Sequence, residues 1–279
     1  MKTDFVQAGS ARLQCFEHGS GPEVVVLVHG YSASGRIWRL TQEALASDRF
    51  RSIAISNRGA GDSDRGASED DYTIESFAKD LYAAVAMLGL RDFTLVGHSM
   101  GGATVTQFAL GHPELLKALV QLDPAPLAGR ALPEGWEEQV RESFRNGTAP
   151  AGPSTRVPDT LSDAVPEEFR QALAADVARN PIERHIAGRR SMAGLRLRSR
   201  LVELRMPVLV AGGDQDATVG VGNILAEYLA LPEDRRSLHM FHGVGHSPNV
   251  DVAKAFAAVL SQFILETVPQ GAAPTTVRT

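Results

Sequence analysis

Cysteine is almost missing from this 279-residue chain. Cys15 stands alone, so no internal disulfide can form and a multi-cysteine zinc site is excluded. Long apolar runs are missing as well: the longest, such as Val24–Val28, fall far short of the roughly 20 residues that cross a bilayer. The opening Met1-Lys2-Thr3-Asp4 lacks the apolar stretch of a secretory signal, so the sequence predicts a cytoplasmic protein. Basic clusters are scarce. Lys plus Arg number 28 against 33 Asp plus Glu, a formal charge of −5, which argues against nucleic acid or an anionic membrane surface as partner. What remains, 43% hydrophobic and 22% charged residues, is an ordinary globular balance and excludes a wholly disordered chain. The length allows one large α/β domain or two small ones.

Loosely alternating residues on either side of Gly9-Ser10 (Phe5-Val6, then Leu13, Cys15 and Phe16) predict a β-hairpin. Val24–Val28 is a continuous β-branched run bounded by glycines, and a strand apolar on both faces belongs in a sheet covered on both sides. The same grammar returns along the chain. Ile53–Ile55 precedes a Gly-rich loop and a helical stretch at 74–88, and Phe93–Val96 precedes another at 100–111. Leu119–Leu122, Val208–Val210 and Leu238–Phe241 complete the strand candidates. Strands alternating with helices predict a doubly wound, mostly parallel α/β sheet, of about eight strands. Between Pro124 and Arg205 the rhythm breaks: prolines punctuate the chain, and Trp136–Phe144, Glu167–Ala178 and Ile182–Leu204 read as helical. That stretch is too long for a plain loop and reads as an inserted helical cap. The division is then a core of residues 1–125 and 205–268, a cap of 126–204, and an aperiodic tail, 269–279, expected to be disordered.

The sharpest local signal is Gly97-His98-Ser99-Met100-Gly101-Gly102, directly after one predicted strand and directly before a helix. G-x-S-x-G at such a junction is a nucleophile elbow: small neighbours at Gly97 and Gly101 let a strained turn lift the serine hydroxyl to a helix N-terminus. The same residues would also serve a tight strand–helix turn without chemistry, and the context is what favours a nucleophile. A serine hydroxyl needs a general base, and His246 stands in a Gly-rich loop after the last strand. The base needs an acid to set its tautomer. Asp216, in the loop that follows Val208–Val210, is preferred; Asp214 in the same loop and Asp123, closing another strand, are the alternatives. An oxyanion needs two donors, and the backbone N–H groups of Met100 and Tyr31 are the candidates, with Gly30 permitting close backbone approach. His29 reads as structural, bonding loop backbone.

Taken together, His29-Gly30-Tyr31, the loop Arg58-Gly59-Ala60-Gly61-Asp62-Ser63, the elbow, Gly213–Asp216 and Gly243–His246 make residues 22–265 resemble the α/β-hydrolase fold family. The resemblance implies the triad order Ser99, Asp216, His246 and an oxyanion hole from Tyr31 and Met100, with no cofactor and no metal. The Arg58–Ser63 loop lacks the lysine of a P-loop, so it is not read as a phosphate cradle. Asn57 stands where the family usually has aspartate, a departure expected to alter a local hydrogen bond rather than the chemistry. The expected activity is hydrolysis of a small to medium carboxylic ester or lactone through an acyl-enzyme. Alternatives on the same triad are C–C bond hydrolysis, perhydrolysis and amide cleavage, and a non-catalytic binding protein is a further one. Family members with an aspartate nucleophile, such as epoxide hydrolases, are disfavoured by Ser99.

Other features have plainer readings. His239, His242 and His246 follow one another at spacings of three and four, but three positions along a strand face opposite ways, so His239 and His242 are poorly placed to share an ion. Arg189, Arg190, Arg196, Arg198, Arg200 and Arg205 read first as a solvated face with acidic neighbours and second as a clamp for an anionic substrate. Trp38, Trp136, Phe144, Met192 and Leu195 fit either a pocket lining or the core.

Overall fold

The computed structural model describes residues 1–146, 161–162 and 164–267. Strands β1 (Lys2–Ala8) and β2 (Ala11–Gly19) form the expected hairpin, paired from Lys2↔Glu17 to Ala8↔Ala11 around Gly9, whose φ is +59°. They continue into β3 (Glu23–Val28), β4 (Phe50–Ile55), β5 (Phe93–His98), β6 (Leu116–Leu122), β7 (Val208–Gly213) and β8 (Arg236–Phe241). The eight strands form one sheet in the order β1-β2-β4-β3-β5-β6-β7-β8. β2 runs antiparallel to both its neighbours, and all other pairings are parallel.

The apolar run in β3 is buried on both faces. Val26 and Val28 join a core with Phe77, Val105 and Phe108, while Val25 and Leu27 join another with Trp38, Phe256 and Leu260. Helices α2 (Ile74–Met87) and α3 (Met100–Gly111) cover the first core, and α1 (Arg39–Leu45) and α9 (Ala253–Thr267) the second. Strand register aligns the ends of the sheet: Val28 pairs with Gly97, His98 with Leu122, and Leu122 with Ala211. The C-terminal ends of β3, β5, β6 and β7 therefore finish level. The residues just beyond them emerge along one sheet edge, where open parallel sheets place their ligands.

Between β6 and β7 lie α4 (Trp136–Arg145), α5 (Glu167–Arg179) and α6 (Ile182–Ala193). The helical stretch expected to reach Leu204 instead stops at Ala193. Gly194, a poor helix former, follows, and the Leu197 and Arg198 N–H groups donate to the Leu127 carbonyl at 2.7 and 3.2 Å, after which Arg198–Glu203 forms a 3-10 turn. The tail from Pro269 lies outside the described residues, as do Pro150, Pro153 and Pro158. The remaining helices are α7 (Val221–Ala230) and α8 (Pro248–Asp251). Among the described residues no helix is long and apolar enough to cross a membrane.

Candidate active site

Ser99 occupies the single residue between β5 and α3, with φ 55° and ψ −119°. Positive φ is strained for a side-chain-bearing residue, and here packing on every side holds it. A Cβ on Gly97 would collide with the Gly101 carbonyl, one on Gly101 with the carbonyls of Val28 and His29, and one on Gly102 would stand 2.9 Å from Pro124 Cβ. The elbow glycines are thus required by backbone contact. Met100 N–H opens α3, where the first amides have no intrahelical acceptor.

The loop after β3 lies against this elbow. A Cβ on Gly30 would stand 3.1 Å from Ser99 Cβ and 3.2 Å from His98 Nδ1. His29 is buried, its Nδ1–H donating to the Gly30 carbonyl at 2.7 Å while its Nε2 accepts the Asn57 N–H at 2.9 Å. That network gives the ring a structural task, and burial, then the Arg184 charge, lowers its pKa well below the usual histidine value. At Asn57 the side-chain Nδ2 has no hydrogen-bond partner.

His246 follows β8 in the Gly243–Gly245 loop, which crosses close over Gly213: a Cβ there would meet the carbonyls of Val244 and Gly245. Its Nδ1–H donates to Asp216 Oδ2 at 2.8 Å. Asp216 is nearly buried, and its Oδ1 accepts the N–H groups of Thr218 at 2.7 Å and Val219 at 3.1 Å. Burial alone would raise this carboxyl. The hydrogen bond and charge of His246, with contacts from Asp123 and the Thr218 N–H, outweigh burial and bring it to about 2. Asp214 does something else: its oxygens accept from Gly243 N–H and His242 Nδ1, both at 2.7 Å, shaping the turn. Asp123 is neither remote nor a competitor in space, for its carboxyl lies with Asp216 and His246 in one cluster whose ligand atoms are within 4.8 Å of one another. His239 packs on Phe241, ring centroids 4.5 Å apart, away from that cluster.

Two contributors escaped the sequence reading. His98, the first x of G-x-S-x-G, donates from Nε2 to the His246 carbonyl at 2.7 Å, tying the His246 loop to the residue beside Ser99. Burial, then the charge of His246, lowers His98 to about 3, so it stays neutral. Its place in the elbow was the only sequence signal. Arg184, in α6, reaches under the loop after β3 and donates to the carbonyls of Tyr31 and Arg58. It is 1% exposed, its Nη2 has no partner, and burial lowers it to about 10. Tyr31 Oη donates to the His185 carbonyl at 2.5 Å, and its ring meets the His185 ring edge-on at 5.1 Å. Three of the six arginines read as a solvated face have acidic partners: Arg198 with Glu227, Arg200 with Glu203, and Arg190 with Glu69 and Glu137, each at 2.8 Å. Trp38 is core, packed between His98 and Phe256.

A family model of the alpha/beta hydrolase fold matches residues 23–251. The chain belongs to this family. Among curated relatives of this alpha/beta hydrolase is the pimeloyl-[acyl-carrier protein] methyl ester esterase of Vibrio atlanticus, 28% identical over 264 residues, covering 88% of this chain and 95% of that protein. Bifunctional epoxide hydrolase 2 of Sus scrofa is 37% identical over 112 residues, but the match spans 40% of this chain and only 20% of that protein. Among solved structures, a bromoperoxidase from Bacillus anthracis superposes with TM-score 0.81 at 23% identity, covering 95% of this chain and 100% of that one. At that identity the likeness is one of fold. Esterase-like relatives make this alpha/beta hydrolase an enzyme of the hydrolase class.

Proposed function

We propose that this alpha/beta hydrolase is a serine hydrolase cleaving small to medium carboxylic esters or lactones. The observation that carries the reading is the strained Ser99 turn at a helix N-terminus, tied through His98 to a histidine whose Nδ1–H is held by a buried carboxylate. With Nδ1 engaged, His246 has Nε2 left to take the Ser99 proton as Oγ attacks the acyl carbon. The negative charge passes to the carbonyl oxygen, which the Met100 and Tyr31 N–H groups stabilise. Collapse expels the alcohol, protonated by His246, and leaves an ester on Ser99. Water, deprotonated by the same imidazole, then releases the acid and restores the hydroxyl. No step needs a cofactor. A lactone, being a cyclic ester, follows the same course with both products joined.

Residues 126–204 act in this reading as a cap over the site. Support comes from α6, where a Cβ on Gly188 would stand 3.5 Å from Met100 Sδ and from Tyr31 Cε2, and from Asn180, which donates to the Ser32 carbonyl at 3.0 Å. An epoxide hydrolase reading needs a carboxylate nucleophile where this chain has Ser99. A fluorophosphonate probe tests the proposal: wild type should label at one residue and Ser99→Ala should not. Folded wild type that stays unlabelled sinks it. Nitrophenyl esters of rising acyl length, screened beside lactones and diketones, then identify the bond cleaved.

A further inference from the structure

Asp123 is 0% exposed and takes φ 43°, a conformation that costs any residue with a Cβ. Its N–H donates to the Ala211 carbonyl at 2.8 Å, and its Oδ1 accepts the Gly213 N–H at 3.0 Å. The neighbouring strand leaves room for this carboxyl, since a Cβ on Gly212 would stand 2.5 Å from Asp123 Oδ1. Oδ2 has no donor at all. A second carboxyl, Asp216, lies beside that of Asp123, and His246 completes a cluster whose ligand atoms are within 4.8 Å of one another. The two acids are unequally served. Asp216 accepts three N–H groups, from His246, Thr218 and Val219, and Asp123 accepts one. Two buried carboxyls in contact do not both ionise, and the proton belongs on the one with fewer donors.

On the reading of Ser99, His246 and Asp216 as the triad, we propose that Asp123 is its fourth member, a positioning residue whose carboxylic O–H donates to Asp216 and holds that carboxylate against His246. A proton on Asp123 turns the orphaned oxygen into a donor and removes the unmet hydrogen bond. Burial, then the Asp216 charge and the shared hydrogen bond, pushes Asp123 well above the carboxylate range and agrees with this. The O–H draws density from Asp216, which keeps the shared proton on His246 Nδ1 and leaves a single negative charge opposite the imidazolium. An ionised Asp123 would instead put two charges there. Among the described residues the ionisable groups clustered with it are Asp216 and His246, with the neutral His98 ring 4.8 Å from His246 beyond them.

The test compares Asp123→Ala and Asp123→Asn with Asp216→Asn on a nitrophenyl ester. Loss of an orienting partner should lower kcat in Asp123→Ala about 100-fold with KM little changed, and the acid limb of kcat/KM should move to higher pH as Asp216 grows more basic. Asp123→Asn, which keeps a neutral donor, should rescue kcat to within about tenfold of wild type and return the limb to its place. Infrared difference spectra should show a deuterium-sensitive carboxylic C=O band in wild type and none in Asp123→Asn. Three results overturn the proposal: Asp123→Asn as damaged as Asp216→Asn, a limb displaced toward acid in Asp123→Asn, or Asp123→Ala matching wild type. Where Asp123→Ala does not fold, the asparagine variant and the infrared band still decide. Failure of the triad itself reads out separately, as labelling that survives Ser99→Ala.

Discussion

Strands β3, β5 and β6 are held against their helices chiefly by apolar burial, whereas the helices of the insertion add directed polar contacts to theirs. β3, β5 and β6 are buried almost throughout and meet α2, α3, α1 and α9 through aliphatic and aromatic side chains. Burial of that kind contributes about 25 cal/mol per Å2 and needs no specific partner. The insertion shares those cores in part, through Phe169 and Leu173 on one side and Ala187 and Leu195 on the other, but it meets the loop after β3 through polar groups. Asp176 accepts from Ser34 Oγ at 2.5 Å and Arg36 Nε at 3.0 Å, Asn180 from α5's end donates to Ser32, and Arg184 donates to Tyr31 and Arg58. Hydrogen bonds of this sort add little net stability but are specific in direction. The comparison teaches that most stability comes from the sheet and its covering helices, while the set of the loop after β3, and with it Tyr31, depends on the insertion.

Acid provides the largest way to break that comparison. His29 and His98 in the sheet core and His185 in the insertion are buried, and burial first of all lowers all three pKa values. The unfolded chain binds their protons below about pH 6.5 while the folded chain refuses them, so their contribution is whole above that pH and fades as pH falls toward the folded values. Asp123, with a raised folded pKa, works in the opposite sense, favouring the fold as pH drops toward 4. Denaturant titrations between pH 7 and 4 should therefore lose stability steeply, and His185→Phe should flatten the slope by nearly one proton. An unchanged slope in that variant would place His185 in water.

Next in size comes Gly101→Ala. Its Cβ meets backbone carbonyls that cannot swing aside, so a loss of about 3 kcal/mol or more is expected in chemical denaturation. A loss under 0.5 kcal/mol (roughly what a surface change costs) would mean the elbow relaxes freely. The smallest effect sharpens the division of labour. Arg184→Met exchanges a buried cation for an apolar chain of similar reach, which can leave stability nearly unchanged. Freed from its clamp, Tyr31 should align less well with the oxyanion, lowering kcat about tenfold. A large fall in Tm with normal kcat would reverse the roles assigned to the two regions.

The same contrast governs what could be read from residues alone. Val24–Val28 carries its strand in its own side chains, and the Gly97–Gly102 turn carries steric needs that glycine alone meets, so sheet and elbow were legible. The pairing of His246 with Asp216 followed because each stands in the loop after a strand, β8 and β7. Arg184 was not legible, because its partners are carbonyls 126 and 153 residues away and any residue has a carbonyl. The end of α6 was missed for a similar reason: Leu197 leaves the helix for the carbonyl of Leu127. Asp123 and Asp216 could be named as rival acids, but their contact depends on β6 and β7 being level neighbours, which only the register reveals.

Everything chemical here turns on Ser99 becoming an ester. Intact-mass spectrometry of the enzyme quenched during turnover of a nitrophenyl ester tests this directly. The account predicts a mass gain of one acyl group, mapped to the peptide bearing Ser99, and its loss in both Ser99→Ala and His246→Ala. Turnover with no such adduct under any quench, or an adduct on another residue, would contradict it.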